Sequence, residues 1–303
     1  MIHMSNEAIY NLDRRSRSED IAHTTEKLLS RHETVARNMA AISINPKDLV
    51  REEDPNDIYS IDRVQHDLQY VDKMQQRFAE SDNEKLPNGL TFKEVRQLAE
   101  IAEYDLIRGI NLGGWIPHGR AIKTSDFDDI ANGVDLVMEI GGKQSSIGHL
   151  GLGVDVSFSL NLQKKFQRIK EEIDAYDGRL NRLGVVKYFQ SQAAGMRGEL
   201  SGLPRVVTAF DLGVLEDMAV KSEQLKGHIG QALMITTMQK QLSVFHEYAL
   251  DVNPACAAQL QRPLNMIGAI SQMTNSKERL ESSEYTKNHK ADDAVEAGLK
   301  LFM

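Results

Sequence analysis

The chain has 303 residues, 41% of them hydrophobic and 26% charged, with a formal net charge of -8 at pH 7. That length supports one large domain or two smaller ones around a substantial core, and the acidic balance argues against a generally basic nucleic-acid coat while leaving room for local basic patches. The lone cysteine, Cys256, cannot form an intramolecular disulfide, the start MIHMSNEAIYNLDRRSRSED lacks an apolar run suited to a signal peptide, and no stretch approaches the roughly 20 apolar residues of a membrane span, so a cytoplasmic protein without membrane contact is expected.

Residues 1 to about 17 are polar and aperiodic and read as an arm. From Glu19 to about Ala41, Ile21, Leu28, Leu29, Val35 and Met39 predict a helix with an incomplete apolar stripe. Past the turn-like EEDPND, Ile58, Ile61, Val64, Leu68, Val71, Met74 and Phe78 recur every three or four residues, the mark of an amphipathic helix that needs a partner, whether the first helix, the later core or another subunit. Residues 1–80 are therefore expected to form a helical N-terminal region, followed by a linker that ends in Pro87-Asn88-Gly89. Thr91 and Glu94 have capping-box spacing, so a helix should begin at Phe92 and stop near Gly109. A short strand is expected near Arg120 to Thr124.

The clearest pattern follows. Val134, Leu136, Met138 and Ile140 alternate with Asp135, Val137 and Glu139, and Leu152, Val154, Val156 and Phe158 alternate with Gly153, Asp155, Ser157 and Ser159. Two strands with one apolar face each are expected, joined by the polar stretch from Gly141 to His149. In a hairpin centred on Ser145, Asp135 lies across from Asp155, and two like charges that close destabilise a sheet unless a cation offsets them or water bathes them. A metal site and a wet outer face are the two readings of this pair.

A helix over about Leu160 to Tyr176, capped by Ser159, should lay Leu162, Phe166, Ile169 and Ile173 over the apolar face of that hairpin. Short strands are expected at Val185 to Phe189 and Arg205 to Phe210. Helices should follow from Leu212, from Ile229 to Leu250 and after Pro254, the last broken or kinked by Pro263, and residues 274–303 read as a flexible tail. The fold class expected is α+β, a small mixed sheet with a central antiparallel hairpin inside helices, its core spanning residues 90–270.

No phosphate loop, dinucleotide fingerprint, nucleophile elbow or paired-histidine zinc motif occurs in the chain. What does occur is a helix carrying Glu100 and Glu103, an acid opening a strand (Asp135), an acid in the next strand (Asp155) and then a helix. Over roughly residues 91–210 this order resembles the core of the PD-(D/E)XK nuclease superfamily. The resemblance implies a hydrolase acting on DNA or RNA phosphodiesters with Mg²⁺ or Mn²⁺ held by Asp135, Asp155 and Glu103.

The family places a lysine two residues after the second acid, where this chain has Ser157. Lys164, Lys165 or Lys187 could stand in for it, and Glu139 with Lys143 is a further acid and base pair. Leu160 to Phe210 holds nine Lys and Arg against five Asp and Glu in a chain that is acidic overall. Lys164, Arg168, Arg182 and Arg197 are thus candidates for nucleic-acid contact. A nuclease-like binding module without chemistry, and a helical assembly protein forming homo-oligomers, are the alternatives.

Overall fold

The computed structural model describes residues 21–51, 57–86, 89–141, 150–157, 162–179, 183–193, 195–221, 224–283 and 290–303. The first helical stretch breaks in two, α1 over 21–29 and α2 over His32–Ile42, at Arg31, whose guanidinium reaches out to Asp105. A short tight turn over Pro46–Leu49 leads to α3 (Ile61–Glu80), capped by the Ser60 hydroxyl. α4 (Phe92–Asn111) opens on the expected capping box, with Thr91 and Glu94 each accepting a hydrogen bond from the other's backbone amide. It runs through Gly109 instead of ending there, because Gly109 lets the Trp115 ring pack on the helix. A Cβ at that position would sit 2.6 Å from the indole.

Three antiparallel strands follow, β1 (Gly119–Lys123), β2 (Leu136–Ile140) and β3 (Leu150–Ser157), then α5 (Gln163–Ala175). A two-stranded hairpin, β4 (Val186–Ser191) and β5 (Met196–Leu200), precedes β6 (Arg205–Ala209). The chain closes with α6 (Leu212–Val220), α7 (Ile229–Val252), α8 (Pro254–Met273), α9 (Ser276–Glu281) and α10 (Lys290–Leu299). α8 passes through Pro263 without a break.

The fold is α+β. The main sheet has the order β1-β2-β3-β6, with β6 parallel to β3 and the other neighbours antiparallel. Leu136 faces Val154 and Ile140 faces Leu150, the register expected of a hairpin centred on Ser145; its connection, 142–149, lies outside the described residues, as does Ser159. The paired register ends at Leu136 and Val154: beyond it the Asp135 amide donates to the Val154 carbonyl (3.1 Å) and Val134 packs with Val137 on the other face, so the alternation expected from Val134 onward breaks before β2, while Asp155 pairs with Val207 on β6.

Leu136, Met138, Ile140, Leu152 and Val154 enter the main core, with α4 across β1 and β3 and α7 against β6. α5 buries its stripe in the same core. Its neighbours are α7, α10 and β6, so it flanks the hairpin instead of covering it.

The second sheet face departs from expectation, because β4 and its neighbours cover it. Val137 packs with Val134, Val186, Phe189 and Leu203, and Glu139 is buried and accepts a hydrogen bond of 2.8 Å from the Ser191 hydroxyl. Alternation alone could not reveal that both faces are dry.

The N-terminal helices join this core. Leu28, Val35 and Met39 lie in the same apolar cluster as α4 and the sheet, and Val64 of α3 packs with Leu49, Tyr59 and Tyr188 of β4. The last thirty residues, expected as a flexible tail, include two helices and the buried Phe302. Its ring lies 4.7 Å from that of Phe245 and 6.4 Å from that of Phe166. Val295, Leu299 and Phe302 supply the apolar surface that a solvated tail would lack. Among the described residues no helix is long and apolar enough to cross a membrane.

Candidate functional site

Between β1 and β2 the chain makes a wide helical turn over Asp128–Asn132, closed by Gly133 at φ 62°. Its two adjacent acids point to different tasks. Asp128 is fully buried and accepts from the Ser125 hydroxyl (2.8 Å), the Asn132 amide (2.7 Å) and the backbone amides of Lys187 (2.6 Å) and Tyr188 (3.0 Å). Burial raises its pKa, against the pull of those four donors. Asp128 fixes the turn to β4, which holds Asp129 in place on the other side.

Asp129 accepts a hydrogen bond of 3.0 Å from Lys123 Nζ at the end of β1, and the same ammonium lies 2.9 Å from Glu103 Oε1 on α4. Lys123 and Glu103 side chains are each only 6% exposed, whereas Asp129 is 39% exposed. Burial alone would lower the Lys123 pKa, but Asp129, Glu103 and Asp135 together hold it well above the ordinary lysine value. Burial pushes Glu103 up to about 7, with Lys123 opposing. Asp129 stays below the usual carboxylate range because Lys123, a hydrogen bond to Asp135 and the charge of Lys165 outweigh its burial. Thr124, next after Lys123, ties the start of β2 to β1 by donating to the carbonyls of Val134 (2.6 Å) and Asp135 (2.9 Å).

Glu103, Asp129 and Asp135 line a cavity of about 500 Å³ together with residues of α2, α3, α4 and α5. Two smaller spaces adjoin it. One of about 400 Å³ shares Glu103 and Asp129 and contains Lys123; the other, of about 330 Å³, shares Asp129, Asp135 and Lys165 and adds Lys164, Arg168 and Arg205. Arg205, 2% exposed on its side chain, donates to Glu172 (2.6 Å) and to the Gly133 carbonyl (2.7 Å), and Arg168 donates to the Ala131 carbonyl (3.0 Å), so both arginines grip the turn from behind. A Cβ on Gly133 would come within 2.7 Å of Arg168.

No protein-family model, curated protein or solved structure matches this chain. Function must therefore be read from the site.

The structure brings together Glu103, Asp135, Lys165, Lys164 and Arg168 among the residues singled out from sequence. Glu100 lines the main cavity too, hydrogen-bonded to His32. The side chain of Asp155 lies outside what the structure describes, and Arg182 and Lys143 lie outside the described residues. Lys187 and Arg197 are elsewhere. Lys187 pairs with Asp67 of α3 and lies 5.0 Å from the Phe127 ring centre, and Arg197 pairs with Asp57 at 2.7 Å.

Sequence reasoning missed Lys123 and Asp129. The signal for the first was available: Ala121 and Lys123 share one side of β1, and a lysine in line with a buried alanine needs a carboxylate partner.

Among the described residues no three His, Cys, Asp or Glu side chains form a ready metal centre. The donors are nonetheless hard oxygens, and Glu103 Oε1, though close to Lys123, accepts no well-aligned hydrogen bond. Mg²⁺ is commonly held by one or two carboxylates, with water and substrate phosphate completing its shell. Asp129 and Asp135 line the same cavity, and two carboxylates there are the kind of donor a hard divalent ion takes.

Proposed function

We propose that the chain is a divalent-cation-dependent nuclease that hydrolyses phosphodiester bonds in DNA or RNA in the cytoplasm. The observation that carries this reading is that Glu103, Asp129 and Asp135 line one cleft, with Lys123 paired to the first two, beside a pocket lined by Lys164, Lys165 and Arg168. The succession α4, β1, β2, β3, α5, with β6 returning parallel to β3, supports the PD-(D/E)XK resemblance in element order.

Mg²⁺ or Mn²⁺ at Asp135, with Asp129 or Glu103, would supply an activated water and offset the charge growing on the phosphodiester. Lys123 meets the need for a fixed cation that Ser157 leaves open. Its ammonium is held by two carboxylates, so it is pre-oriented before substrate arrives. Lys164 and Lys165, in the first turn of α5, and Arg168 would steer phosphates toward the acids.

The test is incubation of end-labelled single- and double-stranded DNA and RNA with the purified chain, in Mg²⁺, in Mn²⁺ and in chelator. Cleavage that needs the cation and is lost in Asp135→Asn is the expected result. A second reading has its own support. Lys123 already pairs with Glu103 and Asp129, so the same cleft could hold nucleic acid without cutting it, and this reading predicts binding that is indifferent to the cation.

A further inference from the structure

The main cavity is also lined by an aromatic ring and two amides, beside an arginine that is paired with Asp82. Gln75 and Phe78 of α3 face into it along with Gln97 and Arg96 of α4, and the Arg96 guanidinium lies 5.8 Å from the centre of the Phe78 ring. Phe78 is half-buried at the end of a stripe whose inner members Val64 and Val71 are fully buried, so its ring is held at the cavity's edge. An aromatic face backed by a guanidinium is a stacking platform for a flat base, and two primary amides beside it can meet the donors and acceptors of a base edge. A base can reach such a platform only when it is out of a duplex. About 500 Å³ lies within the range of pockets that enclose one small organic ligand. The annex lined by Lys164, Lys165, Arg168 and Arg205 opens from the same acids and suits the adjoining phosphate.

Resting on the reading of the acids as a phosphodiester site, we propose that the cleft takes an unpaired nucleotide: the base stacks on Phe78, and a backbone phosphate sits between the acids and the Lys164–Arg168 pocket. The substrate class is then a single strand or a frayed end, not an intact duplex. Duplex DNA with closed ends offers no base to Phe78.

The experiment measures binding and Mn²⁺-dependent cleavage of one fluorescent oligonucleotide as a free strand, and as a fully paired hairpin with no free single strand, by the full chain and by Phe78→Ala and Phe78→Tyr. The free strand should bind at least tenfold more tightly than the hairpin. Phe78→Ala should weaken strand binding roughly tenfold, the scale of one lost stacking contact, and Phe78→Tyr should restore it with an unchanged melting temperature. Equal binding and cleavage of strand and hairpin, with Phe78→Ala neutral, overturn the inference and leave the nuclease reading standing. Absence of any binding or cleavage of either substrate overturns both.

Discussion

Replacing Lys123 by methionine removes the ammonium while keeping most of the side-chain volume. At 2.9 Å and an effective dielectric near 20, the gross attraction between Lys123 and Glu103 is about 6 kcal/mol, much of it offset by the cost of drying both groups. Removing one partner of a buried pair typically costs about 3–5 kcal/mol, because the other charge is left uncompensated. Asp129, 3.0 Å from the same ammonium and 39% exposed, adds an attraction that water screens in part.

The loss should depend on pH, and its sign is fixed. Glu103 has a folded pKa raised to about 7, so it favours folding fully below its unfolded value and loses that favour as pH rises through the folded one. Without Lys123 the folded pKa rises further. The variant should therefore lose least in urea unfolding near pH 5, where Glu103 stays protonated, and about 1.4 kcal/mol more near pH 8, which lies about one unit above the wild-type folded value. An equal loss at both pH values would refute the reasoning.

Asp128→Asn leaves one acceptor oxygen and a donor amide facing four hydrogen-bond donors, so it should cost about 2–4 kcal/mol in urea unfolding at neutral pH; a neutral result would mean that Asp128 does not anchor the turn. Asp67→Ala removes the carboxylate that receives the Tyr188 hydroxyl at 2.7 Å and pairs with Lys187. It should speed proteolysis within α3 at native temperature while sparing β1 to β3, and an unchanged cleavage pattern would show that α3 is held by its apolar stripe alone. Phe302→Ala should cost about 3–5 kcal/mol because the ring fills the space between Phe166 and Phe245. Melting within a degree of wild type would instead mark the last residues as dispensable.

The hairpin was legible because its alternation and centre are local, and the register it implied, with Leu136 across from Val154, is the one found. The Thr91–Glu94 cap was legible for the same reason. β5 was not, because Met196–Leu200 carries glycine and charge at positions where a strand signal needs apolar alternation. Glu103 and Asp135 could be singled out as acids, but their company could not. The wide turn that aims Asp129 at Lys123 has no compositional mark, and it is fixed by amides of β4 some sixty residues later. Glu139 looked wet for a related reason, since the hairpin that buries it comes later in the chain.

The central claim is that the acids around Lys123 hold a divalent cation for phosphodiester chemistry. Its most direct measurement is the melting temperature of wild type and Asp135→Asn, titrated with Mg²⁺ and Mn²⁺, with cleavage of a labelled single strand followed in the same samples. Wild type should gain stability with cation concentration and release protons as it binds, while Asp135→Asn should lose both that gain and the cleavage and keep its cation-free stability. A wild-type melting temperature indifferent to both cations, with the strand left intact, would contradict the account.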